Sequence, residues 1–264
     1  MGFFNKRFSV TVALCSHRDV KVRVWDLLWS LKKCPNPEIS VKILDGDALI
    51  SRSRSRVATY FMDKTKDELL CFIDDDIVVS TMDLTRMMWQ AHTANMPILG
   101  APYVTKSKEN PGFAIRPLDY GKYLFGKNGL IQEMRSVSTG CMMIRREVLE
   151  TLVKSGTIPL CRHGSTTYYP FFQHTAMNID GVWEDMSEDW FFCEKAKSLG
   201  FGVYCDTSVK TEHIGQYAYT WDDIVETKNG TRKNYDNVDF TFNPQNDSGL
   251  KRAVLEEAKG ESNG

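Results

Sequence analysis

Leu69-Leu70-Cys71-Phe72-Ile73-Asp74-Asp75-Asp76 is an unbroken apolar run that ends in three carboxylates. Apolar residues without polar alternation are the pattern of a strand buried on both faces, which arises where helices cover both sides of a sheet. The acids then stand at the carboxyl end of that strand, the edge at which open α/β sheets bind ligands. Upstream, Phe8 to Leu14 is β-branched and apolar, and Val22 to Lys33 carries Val24, Leu27, Leu28 and Leu31 at helical spacing. Cys34-Pro35-Asn36-Pro37 stops that helix, Ile39 to Leu44 alternates as a second strand, and Leu49 to Met62 reads as a second helix. This βαβαβ beginning predicts an α/β fold with a mostly parallel central sheet.

Downstream, Ser80 and Asp83 have capping-box spacing ahead of a helix whose Leu84, Met87, Met88 and Ala91 face inward, and Ile98 to Val104 returns as strand. From Thr105 the regularity fades. Gly112, Gly121, Gly126 and Gly129 punctuate a loop-rich span before a strand over Ser136 to Ile144 and a helix over Glu147 to Lys154. Residues 157 to 187 read as irregular and aromatic-rich, followed by a helix over Glu188 to Leu199 and a strand over Phe201 to Cys205. The expected organisation is one catalytic-type domain over residues 1–215, with halves at 1–104 and 105–215. Residues 216–264 form an extension in which Tyr217, Tyr219 and Trp221 serve as a lid or, with better odds, a core edge, and 256–264 reads as a disordered tail.

The 264 residues carry 33 Lys+Arg against 34 Asp+Glu and are 42% apolar, which is the composition of a globular protein. A net charge of −1 gives no general footprint for nucleic acid or anionic membrane. Seven cysteines, an odd count without a CxxC pair, fit free thiols in a reducing compartment, and no stretch approaches the ~18 apolar residues of a membrane span. A cytoplasmic protein is the expectation.

Three features bear chemistry. In an extended segment side chains alternate, so Asp74 and Asp76 are expected on one side and Asp75 on the other. Two carboxylates suit Mg²⁺ or Mn²⁺ completed by waters and phosphates, against the plainer reading of a solvated acidic turn. Second, Ser187-Glu188-Asp189-Trp190 opens a helix, and His213 lies beyond the next strand. Asp185 with Glu188 has capping-box spacing, and a lone histidine is more often structural, so both features have ordinary explanations. Third, the serine-arginine run Ser51 to Arg56 puts Arg52, Arg54 and Arg56 at a helix entrance, where Arg52 and Arg56 are i, i+4 and offer fork-shaped donors for a diphosphate, or ion pairs for Asp45 and Asp47.

In this order the motifs resemble a glycosyltransferase of the GT-A fold. The resemblance rests on Ser16-His17-Arg18 after the first strand, Asp74-Asp75-Asp76 as the DxD, Gly100-Ala101-Pro102-Tyr103-Val104, Ser138-Thr139-Gly140 through Arg146, Glu188-Asp189, and His213-Ile214-Gly215. It spans roughly Phe8 to Gly215, and its flavour is that of the family-two-like inverting and mannosylglycerate-synthase-like retaining enzymes. It implies a Rossmann-like nucleotide-binding half abutting a mixed acceptor half. Asp76 and His213 would hold Mn²⁺ or Mg²⁺, with Asp74 on the metal or the donor's ribose. Ser16, His17, Arg18, Asp45, Arg52, Arg56, Asp74 and Asp75 would surround a nucleotide-diphosphate sugar. Asp189 would serve as base if the reaction inverts, with Glu188 orienting. The acceptor would be a glycan, a metabolite, a protein or a modified nucleic-acid base. A metal-dependent nuclease or phosphohydrolase using Asp74, Asp76, Glu188 and Asp189, and a non-catalytic glycan-binding module using Tyr168, Tyr169, Phe171 and Trp183, are the competing classes.

Overall fold

A computed structural model describes residues 7–16, 19–107, 111–179, 181–224 and 236–242. The first half runs β1 (Ser9–Ser16), α1 (Val22–Lys32), β2 (Glu38–Asp45), α2 (Ile50–Lys64), β3 (Leu69–Ile73), β4 (Ile77–Val78), α3 (Thr81–Thr93) and β5 (Ile98–Gly100). The second half runs β6 (Ile115–Pro117), β7 (Gly121–Gly126), β8 (Ile131–Val137), β9 (Cys141–Arg145), α4 (Arg146–Lys154), β10 (Cys161–His163), β11 (Thr166–Tyr168), β12 (Thr175–Ile179) and β13 (Val182–Met186). It closes with α5 (Glu188–Lys197), β14 (Val203–Asp206), β15 (Glu212–Ile214), β16 (Ala218–Tyr219), a 3-10 turn at Trp221–Asp223, and β17 (Asn237–Phe242).

The chain is an α/β protein built on an eight-stranded mixed sheet in the order β2-β1-β3-β9-β5-β14-β8-β6. The β1–β2, β1–β3 and β5–β14 pairs are parallel, while β9 and β8 run against their neighbours. All five residues of β3 are buried. Leu70 and Phe72 pack with α2, α4 and α5 on one face, while Leu69, Cys71 and Ile73 pack with α1 and α3 on the other. The continuous apolar run is therefore the consequence of helices on both sides.

Where sequence expectation and structure differ, local causes are visible. The strand expected over Ile98 to Val104 stops at Gly100, and Pro102 removes a ladder donor just beyond it, so Val104 makes only an isolated bridge to Phe113. The single strand expected over Ser136 to Ile144 is two strands, split at Ser138-Thr139-Gly140, because β8 and β9 occupy non-adjacent places in the sheet. Residues 157–187 are more regular than expected and fold into the hairpins β10–β11 and β12–β13. Ser80 caps α3 as its spacing predicts, its side chain accepting from the Asp83 amide.

The described residues beyond Gly215 contribute to the same core. β17 pairs along the length of β7, and Phe125 meets Phe240 at 5.0 Å and Trp221 at 5.8 Å, both edge to face. Tyr219 and Trp221 are each 4% exposed and pack within the core cluster. The expected tail at 256–264 lies outside the described residues. Among the described residues no helix is long and apolar enough to cross a membrane, and all seven cysteines are free thiols.

Because Phe240 is fully buried among aromatic rings, Phe240→Ala is expected to cost about 3–5 kcal/mol. Urea denaturation checks this, and an unchanged midpoint would return the C-terminal segment to the status of a peripheral flap.

Candidate active site

The ends of β1, β2 and β3 form one edge. Ser16 and Asp45 are register partners at the ends of β1 and β2, and the three acids follow β3. Asp74 to Asp76 are not extended: the Ile77 amide donates back to the Asp74 carbonyl at 3.2 Å, closing a turn. Strand alternation therefore ends at Ile73, and a shared side for Asp74 and Asp76 does not follow from strand geometry. Each acid instead has its own partner. Asp75 accepts from Ser16 Oγ at 2.7 Å, Asp74 accepts from Arg54 at 2.7 and 2.9 Å, and Asp76 takes Lys106 on Oδ2 with His213 3.5 Å from Oδ1. Three adjacent charges are kept compact by dispersal among separate partners.

Of the three arginines at the start of α2, Arg54 is the one that reaches the acids. It follows the stripe Arg54, Val57, Ala58, Phe61 at i, i+3, i+4 and i+7, so it falls on the buried face of α2. That spacing was the available signal: an arginine inside an apolar stripe needs a buried partner. Its Nη2 forks onto Asp74 and its Nη1 meets Glu188, joining the end of β3 to the start of α5. Burial pushes the Glu188 carboxyl above its ordinary value, Arg54 works against that, and neighbouring Asp189 adds to it.

His213 is set by its backbone contacts. Its Nδ1 lies 2.7 Å from the Val104 carbonyl, an acceptor only, so Nδ1 carries the proton and Nε2 faces Asp76. Burial raises the Asp76 carboxyl, but hydrogen bonds from His213 in its protonated form and from Lys106 outweigh it, and its pKa ends below the ordinary carboxylate value. Tyr103, from the Gly100 to Val104 motif, lies edge-on to His213 at 5.3 Å between centroids. Burial raises the Tyr103 hydroxyl well above its usual value, with Asp74 and Asp189 adding to the shift. Gly140 is required beside it, since a Cβ there would lie 2.6 Å from the ring.

At the start of α5, Asp189 is 6% exposed and its Oδ1 accepts from the Ser187 hydroxyl and, at 2.8 Å, from the Trp190 amide. The ordinary capping explanation does not hold, because Asp185 sits on β13 and pairs with His174 at 2.8 Å. Arg52 and Arg56, expected at a diphosphate, turn instead to Asp47 at 2.6 and 3.3 Å, and the hydrogen bond from Arg52 holds the Asp47 carboxyl down to about 2. His17 and Arg18 lie outside the described residues. Burial lifts the thiols of Cys15 and Cys141 to about 12, which removes both as nucleophiles at neutral pH. Among the described residues no three His, Cys, Asp or Glu side chains converge as a metal cage.

No family model matches the chain, and no curated protein matches it in sequence. Among solved structures it is similar to A197 from STIV, with a TM-score of 0.53 and 18% identity over 78% of this chain and 86% of that one. That likeness supports the fold alone. A second neighbour is GalNAc-T7 with UDP, GalNAc and Mn²⁺, at a TM-score of 0.42 and 11% identity over 79% of this chain and 44% of that one, too low to bear weight.

Removing Arg54 strands two carboxylates, so Arg54→Met is expected to cost about 3–5 kcal/mol at neutral pH. Glu188, already raised by burial, loses the opposing charge of Arg54, so its folded-state pKa rises further. The penalty should therefore shrink as pH falls through the carboxylate range and Glu188 protonates. Urea midpoints of both proteins across pH 4 to 7, on the order of the ordinary carboxylate range and above, check the sign; a pH-independent difference would contradict it.

Proposed function

We propose that this chain is a glycosyltransferase that moves a sugar from a nucleotide-diphosphate sugar to an acceptor hydroxyl with the aid of Mn²⁺ or Mg²⁺. The observation that carries this is the pairing of Asp76 Oδ1 with His213 Nε2 across 3.5 Å, with Nδ1 committed to the Val104 carbonyl. In the neutral ring both facing atoms are acceptors, so the pair fits a cation between them. Two protein ligands with open positions suit a hard divalent ion that also binds substrate phosphates.

When bound there, such an ion neutralises charge on the departing diphosphate. Lys106, already on the other oxygen of Asp76, adds a second positive charge at the same place. Ser16 and Asp45, with Asp75 behind Ser16, line the nucleotide side of the edge. Arg54 fixes Asp74 and Glu188 in place. Asp189 serves as the base of an inverting reaction: Ser187 and the Trp190 amide hold its Oδ1, which orients the carboxylate for the acceptor hydroxyl. Tying Asp74 and Glu188 to one guanidinium also counts against the nuclease alternative, since those acids no longer stand open for two metals.

Titration with UDP, GDP, CDP and dTDP, each with and without Mn²⁺, is expected to raise the melting point for one nucleotide only when metal is present. At ~100 times the dissociation constant the stabilisation is roughly 2.7 kcal/mol. Asp76→Asn should abolish the shift, and His213→Ala should weaken it without unfolding the chain. A shift indifferent to metal, or one surviving Asp76→Asn, would sink the metal site.

Asp189→Asn should keep metal-dependent nucleotide binding while turnover drops by ~10² to 10⁴. Near-normal turnover in a donor-hydrolysis or transfer assay would remove Asp189 from the role of base.

A further inference from the structure

The face of α2 turned from Asp74 carries a second polar cluster that takes no part in the chemistry above. Asp47 accepts from Nε and Nη2 of Arg52 and from Nη1 of Arg56. The remaining donors point at one imidazole: Arg52 Nη1 lies 3.2 Å from His163 Nε2, and Arg56 Nη2 lies 3.2 Å from His163 Nδ1. A guanidinium has only donors, and a neutral imidazole has one acceptor nitrogen. In either tautomer one of these contacts therefore sets N–H against N–H, and in the imidazolium both do.

Nothing else described in the cluster absorbs the surplus. Thr166 Oγ1 accepts from Arg56 Nη2 at 3.3 Å while giving its own proton to the His163 carbonyl. Arg56 Nε is buried without an acceptor. Two guanidiniums face the single carboxylate of Asp47, so one positive charge is in excess, and the ring of Tyr168 lies 5.8 Å from the Arg56 guanidinium. What the cluster lacks is an anion with several acceptor atoms.

We propose that Arg52, Arg56 and His163 bind the phosphate group of a small organic ligand, at a site separate from the nucleotide edge. A phosphate oxygen set between the guanidiniums and the ring accepts from Arg52 Nη1, Arg56 Nη2 and the His163 N–H together, and fork-shaped guanidinium donors suit that geometry. Arg54 lies about 200° around the helix from Arg52 and is spent on Asp74 and Glu188. A phosphate held by Arg52 and Arg56 is thus on the other side of α2 from the catalytic acids. The β10–β11 hairpin supplies His163, Thr166 and Tyr168 to the cluster.

The test follows the His163 ring nitrogens by NMR in the full chain labelled with ¹⁵N-histidine, assigned with His163→Gln. Inorganic phosphate, a sugar phosphate and sodium chloride at matched ionic strength are titrated separately. Both phosphates should give saturable shifts that chloride does not reproduce, with the sugar phosphate binding at least as tightly. Arg52→Gln with Arg56→Gln should weaken binding at least tenfold, and the milder Arg56→Lys should weaken it while leaving the amide spectrum folded. Asp76→Asn, which removes the proposed metal ligand, should leave the response intact, so this site and the glycosyltransferase reading stand or fall separately. A chloride-like response, binding of the free ion but not the ester, or survival of binding without the arginines would overturn the proposal. Displacement of phosphate by nucleoside diphosphate with Mn²⁺ would overturn it too, by returning both arginines to the donor site.

Discussion

A single buried guanidinium holds the candidate site in one piece. Arg54 is 5% exposed, and its partners Asp74 and Glu188 come from the end of β3 and the start of α5, elements more than a hundred residues apart in the sequence. Taking an arginine and two carboxylates out of water is costly, and the arrangement is stable only because the charges meet in short, forked contacts. The same cost makes the geometry specific: any shift of α5 relative to β3 would leave a charge buried and unpaired. The backbone positions of Asp74 and Asp189 are therefore coupled through Arg54, although those two acids serve different elements.

The first half of the fold was legible because its signals are local. β3 reads as an uninterrupted apolar run, α1 shows a clean helical stripe, and Ser80 stands at capping distance from Asp83. The strand-end acids were legible for the same reason, since a run of charge after buried apolar residues marks the edge of a sheet. The second half hides its order in pairings distant in sequence. β17 is defined by its partner β7, more than a hundred residues earlier, and the hairpins at 161–168 and 175–186 alternate too weakly to announce themselves. β9 enters between β3 and β5 against the direction of both, which no local pattern encodes.

Side-chain partners were harder still. Arginines two residues apart in the serine-arginine run of α2 face opposite ways on the helix, which the run itself does not announce. Arg52 and Arg56 go to Asp47, while Arg54 goes inward, and the apolar spacing of Val57, Ala58 and Phe61 separates the two sets. Lys106 and Tyr103 had no such signal, because they occupy a stretch without periodicity and gain their place only from the turn after β5.

The separation of the three acids changes what the edge can do. With Asp75 on Ser16 and Asp74 on Arg54, only Asp76 remains beside a neutral nitrogen donor, and Lys106 holds its second oxygen. A cation arriving between Asp76 and His213 would find two ligands from the chain and would need the rest from water or a phosphate. Its affinity would then depend on the nucleotide that supplies those oxygens, and the nucleotide's affinity on the cation, because linkage between two ligands is reciprocal. Two protein ligands thus favour joint capture of metal and nucleotide over a resident ion. Under the proposed function Asp74, held by Arg54, would anchor the turn that presents Asp76 to the cation.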